Sequence, residues 1–389
     1  MPESALIVFD DSRGSFGPLT DLRAAFELRV GLTSALRRIE RKLRKRASAL
    51  YCAPANAALL ASRHTALINA LPAGERFEFV NGRSVGDCAV RRCNRAEATA
   101  FIESGFADER QEVDASLVQF PWDVHARLAT TLAQDIDLFE TSSPLSTCEP
   151  RVLRSDEGVC FGTHPILIDR TAKIGPSCVI DASNGAVIIG EEVVIAPLAV
   201  LVGPCAILKG SMISAHAHLK ANTVIGPYCR VGGEVGACIF QGHSNKSHDG
   251  HLGDSFVGEW VNIGAGTTNS NLLNTYGEVI VRLERDGGLI RTNRQFWGSV
   301  IGDHAKLAIQ TRIMTGTTIG TGAMIASSRP PSTLVERFAW TTDDAEAGRV
   351  FRVEKFLETA KAMMARRGHA VSAALEERLR ALHAEATGP

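Results

Sequence analysis

The sequence predicts a left-handed parallel β-helix of hexapeptide repeats, with a small α/β domain before it and a pair of helices after it. Three observations carry this reading: aliphatic residues that recur every six positions through the middle of the chain, a strand-helix-strand order near its start, and two apolar stripes of helical spacing near its end. The expected parts are an α/β domain over 1–160, the β-helix over 161–332 and a helical tail over 333–389.

In the first part, "ALIVFDD" reads as a buried strand, "LRVGLTSALRRIERKLRKRASAL" as a helix and "RFEFVNGRSV" as a strand entering a turn, an order typical of α/β architecture. The basic run "RRIERKLRKR" at 37–46 is expected to be the solvated face of that helix.

The repeat is most regular at Ile189, Ile195, Leu201, Ile207, Ile213, Leu219, Ile225 and Val231. With about a quarter of residues aliphatic, eight consecutive hits arise by chance on the order of once in 10⁵ tries. The same beat is audible at Ile168, Ile174 and Ile180, and again at Val257, Ile263, Ile301, Leu307, Ile313, Ile319 and Ile325. A period of six fits neither a helix at 3.6 nor a hairpin meander; it fits coils of three hexapeptides whose aliphatics point inward. Solenoids of this kind wind left-handed, against the usual handedness of parallel crossovers, and commonly associate as trimers.

The beat breaks at 240–250 and at about 270–299. Insertions in a solenoid emerge as loops, so both stretches are expected to project. The first, "QGHSNKSHDGHLGD", holds His243, His248 and His251. Their spacing, H-x₄-H-x₂-H, matches no common zinc arrangement, which makes a metal site the weaker reading beside a catalytic or polar loop. His243, His251 and His304 read as structural. In the tail, Val353, Phe356, Leu357, Ala360 and Met364 form one helical stripe and Val371, Leu375, Leu379 and Leu382 another, as packing or capping helices would.

Composition narrows the classes. The 389 residues carry a formal net charge of -1, which leaves no electrostatic footprint for nucleic acid. The N-terminus lacks the basic-then-apolar order of a signal peptide, no stretch approaches a membrane span, and the nine cysteines show no CxxC pair, so a cytoplasmic protein with reduced thiols is expected.

Text at 251–271, "HLGDSFVGEWVNIGAGTTNSN", resembles the acetyltransferase domain of the bifunctional N-acetylglucosamine-1-phosphate uridylyltransferase/glucosamine-1-phosphate acetyltransferase family, a left-handed β-helix trimer. "FDDSRGSFGPLTDLRAAFELRVG", "GPYCRVGGEV" and the "RFAW" tail resemble more closely an alternative bacterial branch of sugar nucleotidyltransferases with a hexapeptide-repeat domain, which makes the first domain nucleotidyltransferase-like.

Carried over by position, the resemblance places the catalytic base on His248, the accompanying glutamate on Glu234 and a further catalytic asparagine on Asn271. It puts the acetyl-CoA pantetheine beside Gly264, Ala265, Gly266 and Ser327. Two positions depart from the family pattern: Leu272 stands where an aromatic is usual, and Gly236 where a basic ligand of the sugar phosphate is expected. The phosphate grip then falls to Lys246, Arg230 or Lys220, with Asp249 as a further substrate contact. In the first domain Asp10 and Asp11 are candidates for Mg²⁺, and Arg13, Arg23 and Arg29 for phosphate. "DLRA" at 21–24 replaces the branch's usual motif, so a purely structural domain is the alternative.

The chemistry suits these residue types. An amine attacking a thioester must lose a proton, which an imidazole can accept, for a gain of roughly 10² to 10⁴ in rate. A carboxylate such as Glu234 or Asp249 can orient the ring or hold the amine, and N–H groups of the 264–266 turn can meet the developing oxyanion. The implied function is acetyl transfer to an amino-sugar 1-phosphate, coupled to nucleotidyl transfer from UTP or another nucleoside triphosphate if the first domain is active. The alternatives are a nucleotidyltransferase whose solenoid only oligomerises or regulates, and a catalytically silent scaffold.

Overall fold

A computed structural model describes residues 4–107, 116–139, 145, 147–150, 153–344 and 348–388. Its N-terminal sheet has β1 (Ala5–Phe9) at the centre, flanked by β2 (Ala47–Tyr51) and β4 (Arg76–Asn81), with β3 (Leu67–Ile68) and β5 (Arg91–Asn94) at the edges. β1 runs parallel to both neighbours, and only β5 is antiparallel. A central parallel strand is covered on both faces, which explains its unbroken apolar text. Leu6 and Val8 enter one buried cluster, while Ile7 and Phe9 enter another with Phe79 and Phe101.

The expected long helix is much shorter, α1 (Ala35–Lys42). The Ser34 hydroxyl accepts the Arg37 N–H and starts the helix, and the chain after it turns into β2. Nor is the basic run wholly solvated: Arg38 is buried, its Nε 2.5 Å from Asp135 on α5 (Leu128–Phe139). Among the described residues this part has three further α-helices: α2 (Ala57–Ala61), α3 (Arg95–Glu103) and α4 (Pro121–Ala126).

The solenoid is a parallel β-helix of three sheets with six, ten and nine strands. Its register explains the beat. Ile189 pairs with Ile207 and then Ile225, Ile195 with Ile213 and then Val231, and Leu201 with Leu219, each step one eighteen-residue coil. All eight of these aliphatics are at most 1% exposed, so every coil seals the one below it. The first fully parallel solenoid strand is Gly158–Gly162 and the last is Trp340–Thr342, so the coils run past both ends of the 161–332 span.

The stretch 240–250 does not project. It stays in the coils as strands Ile239–Gly242, Asn245–Lys246 and His251–Gly253. The beat disappears for another reason: Ile225 registers with Phe240, fifteen residues on instead of eighteen, and Val231 with Lys246. Lys246 thus occupies an inward aliphatic position, 1% exposed, with its ammonium 3.0 Å from both the Gly232 and His248 carbonyls. The second interruption does leave the coils, as an antiparallel pair of Ile280–Val281 with Ile290–Arg291.

Residues at one corner take positive φ and stack: Tyr228 on His243, His243 on Trp260 at 4.4 Å between centroids, and Trp260 on His304. This ladder absorbs His243 and His304.

The N-terminal domain covers the ten-stranded sheet, packing Leu19, Val30, Trp122 and Leu128 against Ile188, Val224, Phe256 and Val300. The tail forms α6 (Val353–Ala365) and α7 (Ala373–Thr387), whose expected stripes bury Phe356, Leu357, Ala360, Met364, Leu375, Leu379 and Leu382. They pack with Trp260 and Phe338 of the solenoid and Leu59 of α2. Among the described residues no helix is long and apolar enough to cross a membrane.

Candidate active site

Among the described residues the six-stranded sheet keeps its outward side chains half-buried or exposed, and four of them converge. His218, Glu234 and His251 stand in one register column on successive coils. His251 Nδ1 lies 3.4 Å from the Glu234 carboxylate, and the Lys220 ammonium pairs with the same oxygen. That hydrogen bond, with the charges of Lys220, His251 and His218, holds the Glu234 carboxyl below its ordinary range, so it stays a carboxylate. Gly236 leaves the space that Lys220 fills: a Cβ there would come within 2.9 Å of the Lys220 Cβ.

At the corner beside this face the chain turns through His248 and Asp249, both exposed. They border an open cavity of about 460 Å³ lined also by Ser247, Ala265, Gly266, Ile309 and Gln310. The turns stack, because the Gly266 N–H donates to the Asp249 carbonyl and the Gln310 N–H to that of Ala265. Glycine is required at 264, where a Cβ would meet the backbone of Ala308 and Ile309 at 2.5 Å. The Gly264 N–H is taken by Leu307, so together with Gly266 two of the three amides expected to meet an oxyanion are committed to the solenoid. Leu307 registers with Ile325, which brings Ser327 to the level of Ile309, but its hydroxyl is bonded to Asp343 at 2.6 Å.

Asn271 lies toward the other edge of the face. Its amide donates to Asp254 at 2.6 Å, and a Cβ on Gly253 would touch both this amide and the His251 ring. Across the edge, α4 brings His125, with Nε2 2.8 Å from the Ala237 carbonyl and 3.7 Å from Asp254. Burial depresses the His125 pKa, which keeps that ring neutral. Sequence reading missed His125 and Asp254 and took His251 for structural. Its one available signal was the i, i+3 step from His248, which carries the chain from the corner onto the strand.

Several expected ligands stand elsewhere. Lys246 is corrected from phosphate ligand to core residue, since two backbone carbonyls hold its ammonium inside the coil. Arg230 belongs to the nine-stranded sheet, around the corner from Glu234. Arg23 is buried and grips Asp303 at 2.7 Å and Glu259 at 3.2 Å, tying the N-terminal domain to the solenoid. Arg29 does the same through the Gln241 carbonyl, and Arg13 is exposed on its loop.

The acidic pair does not fit a divalent cation either. Asp10 is spent on the N–H groups of Ala25 and Ser12, and burial raises its pKa. Asp11 is neutralised by Arg83 at 2.7 Å and bonded to Asn81. Among the described residues no group of three or more His, Cys, Asp or Glu side chains is placed to hold a metal.

No family model matches the chain. Among curated proteins it is similar to the bifunctional protein GlmU of Methanococcus aeolicus, at 34% identity over 165 residues, 42% of this chain and 39% of that protein. The GlmU proteins of Ruthia magnifica, at 27% over 183 residues (41% and 37%), and Acaryochloris marina, at 32% over 136 residues (32% and 29%), are similar too. The matched part of the chain spans about two fifths or less of the length of these relatives. The similarity to GlmU proteins thus extends over about two fifths of this chain's own length.

Proposed function

We propose that this protein is a transferase whose solenoid moves an acetyl group from acetyl-CoA to the amine of an amino-sugar 1-phosphate such as glucosamine-1-phosphate. The observation that carries the reading is the convergence of Glu234, Lys220 and His251 on one open strand face, with His248 at the adjacent corner beside the Ala265 cavity. The acceptor amine attacks the thioester carbonyl, a C–N bond forms and the coenzyme A thiolate leaves. His248 takes the proton that the amine must shed. Glu234 holds the amino group, and Lys220 supplies the phosphate charge that Gly236 cannot. The uncharged shelf of Ala265, Gly266 and Ile309 suits a pantetheine chain, with Ser327 further along the same corner.

The winding is left-handed in this reading, and three copies associate in the cytoplasm through the open sheet. Val159 and Phe161, 57% and 50% exposed on its first strand, support such an association. The N-terminal domain acts as a structural partner of the coils, because Asp11 is paired with Arg83 and Arg23 with Asp303 of the solenoid. UTP and Mg²⁺ have no place in the reaction proposed here.

The test is release of free coenzyme A from acetyl-CoA with glucosamine-1-phosphate present or absent, for the wild type and His248→Ala. Acceptor-dependent release, lost in a folded variant, is expected. Failure of the wild type to release coenzyme A with this and other amino-sugar phosphates overturns the reading.

A further inference from the structure

A second cleft of about 660 Å³ lies around the corner, between the nine-stranded sheet and α6. Its floor is one register column, Arg230, Asn245, Asn262 and Lys306, each on the next coil. Because Val231, Ile263 and Leu307 point inward, these neighbours point out of the coil. The roof is α6 and the turn after it, with Lys355, Glu358, Arg366 and Arg367.

The charge balance is one-sided. Five cations line the cleft against one carboxylate, and that carboxylate, Glu358, pairs with Lys355 at 2.7 Å. Among the described residues Arg230, Lys306, Arg366 and Arg367 have no carboxylate partner. Arg367 reaches only the Tyr228 carbonyl, and Lys306 only those of Trp260 and His304, which leaves one of its three N–H donors for the cleft. The strain registers on the groups themselves. Burial and the charges of Arg230 and Arg366 depress Arg367, and burial pushes Lys306 down to about 7. Three arginines and a lysine gathered without a carboxylate partner repel one another when protonated, and a bound polyanion relieves that repulsion. The amides of Asn245 and Asn262 add neutral donors at the centre of the floor.

We propose that this cleft binds a diphosphate group, either free or as the diphosphate of a nucleotide ester. Its size and helical roof fit a small molecule rather than an extended chain, and three arginines without a carboxylate partner, with the Lys306 amine beside them, suit the negative charges of a diphosphate. The site is separate from the His248 cavity, with which it shares no lining residue.

Calorimetric titration of the full chain with inorganic pyrophosphate, adenosine diphosphate and uridine diphosphate tests this. The wild type, the Arg230→Ala/Arg366→Ala double variant and His248→Ala are compared at fixed salt. Both arginines are exposed, so the double variant is expected to keep its melting temperature. Pyrophosphate binding at least tenfold weaker in the double variant and unchanged in His248→Ala is the expected result. Equal affinities for all three ligands identify the diphosphate group as the whole ligand, and tighter binding of a nucleotide identifies an ester of it. No binding to the wild type, binding that survives the double variant, or binding lost in His248→Ala overturns the proposal.

Discussion

Lys220 lies across the backbone of Gly236, its Cβ 2.9 Å from where a side chain at 236 would begin, and carries its ammonium to the Glu234 carboxylate. A cation from one coil therefore stands over the next, at a position where the chain itself has no side chain to offer. If that cation holds the sugar phosphate, Lys220→Ala raises KM for glucosamine-1-phosphate at least tenfold with a smaller change in kcat. Adding Gly236→Lys to this variant restores part of the loss. Steady-state kinetics with acetyl-CoA saturating decide it, and an unchanged KM removes Lys220 from the phosphate site.

The two neighbouring histidines separate by role. His248→Ala is expected to lower kcat by about 10² to 10⁴ with little change in KM, as removal of a general base does. His243→Phe keeps both parameters, because His243 serves only as a ring between Tyr228 and Trp260. Equal losses in the two variants would place the effect in the fold instead of the chemistry.

Arg23 and Asp303 form a buried pair linking the N-terminal domain to the solenoid. Arg23→Ala strands a carboxylate without its counterion and is expected to cost about 3–5 kcal/mol in chemical denaturation. Replacing both, as Arg23→Met/Asp303→Leu, costs much less, since it leaves no fully buried charge unpaired and the one carboxylate that still loses Arg23, Glu259, reaches solvent. A double variant as unstable as the single one would show that packing, not charge, holds this junction.

Lys246 makes stability depend on pH. Burial pushes its pKa down to about 8 from the 10.5 of a free lysine. Between these values the unfolded chain holds more protons than the folded one, so stability rises with pH across this window. Below pH 8 the whole penalty is present, roughly 3 kcal/mol. Lys246→Met should flatten that part of the profile, and denaturant midpoints from pH 7 to 10.5 for both proteins would reveal the difference. Parallel profiles would mean that Lys246 stays protonated in the coil.

The six-residue beat determined the solenoid by itself, because an inward aliphatic at each sixth position is both the pattern and the core: Ile195, Ile213 and Val231 stack on one another without help from elsewhere in the chain. The two tail stripes are local in the same sense, with Phe356 and Leu379 buried where helical spacing puts them. What the sequence could not disclose depends on partners far along the chain. The run 240–250 reads as a loop because it lacks the beat, yet shortened coils and a core lysine keep it inside the solenoid. His251 reads as structural until register sets it against Glu234, seventeen residues earlier. Asp11 and Arg23 look like ligands until Arg83 and Asp303 are seen to neutralise them, the latter 280 residues away. Charge pairing and coil register act through space, so only the tertiary structure decided which polar residues are spent on the fold and which remain for chemistry.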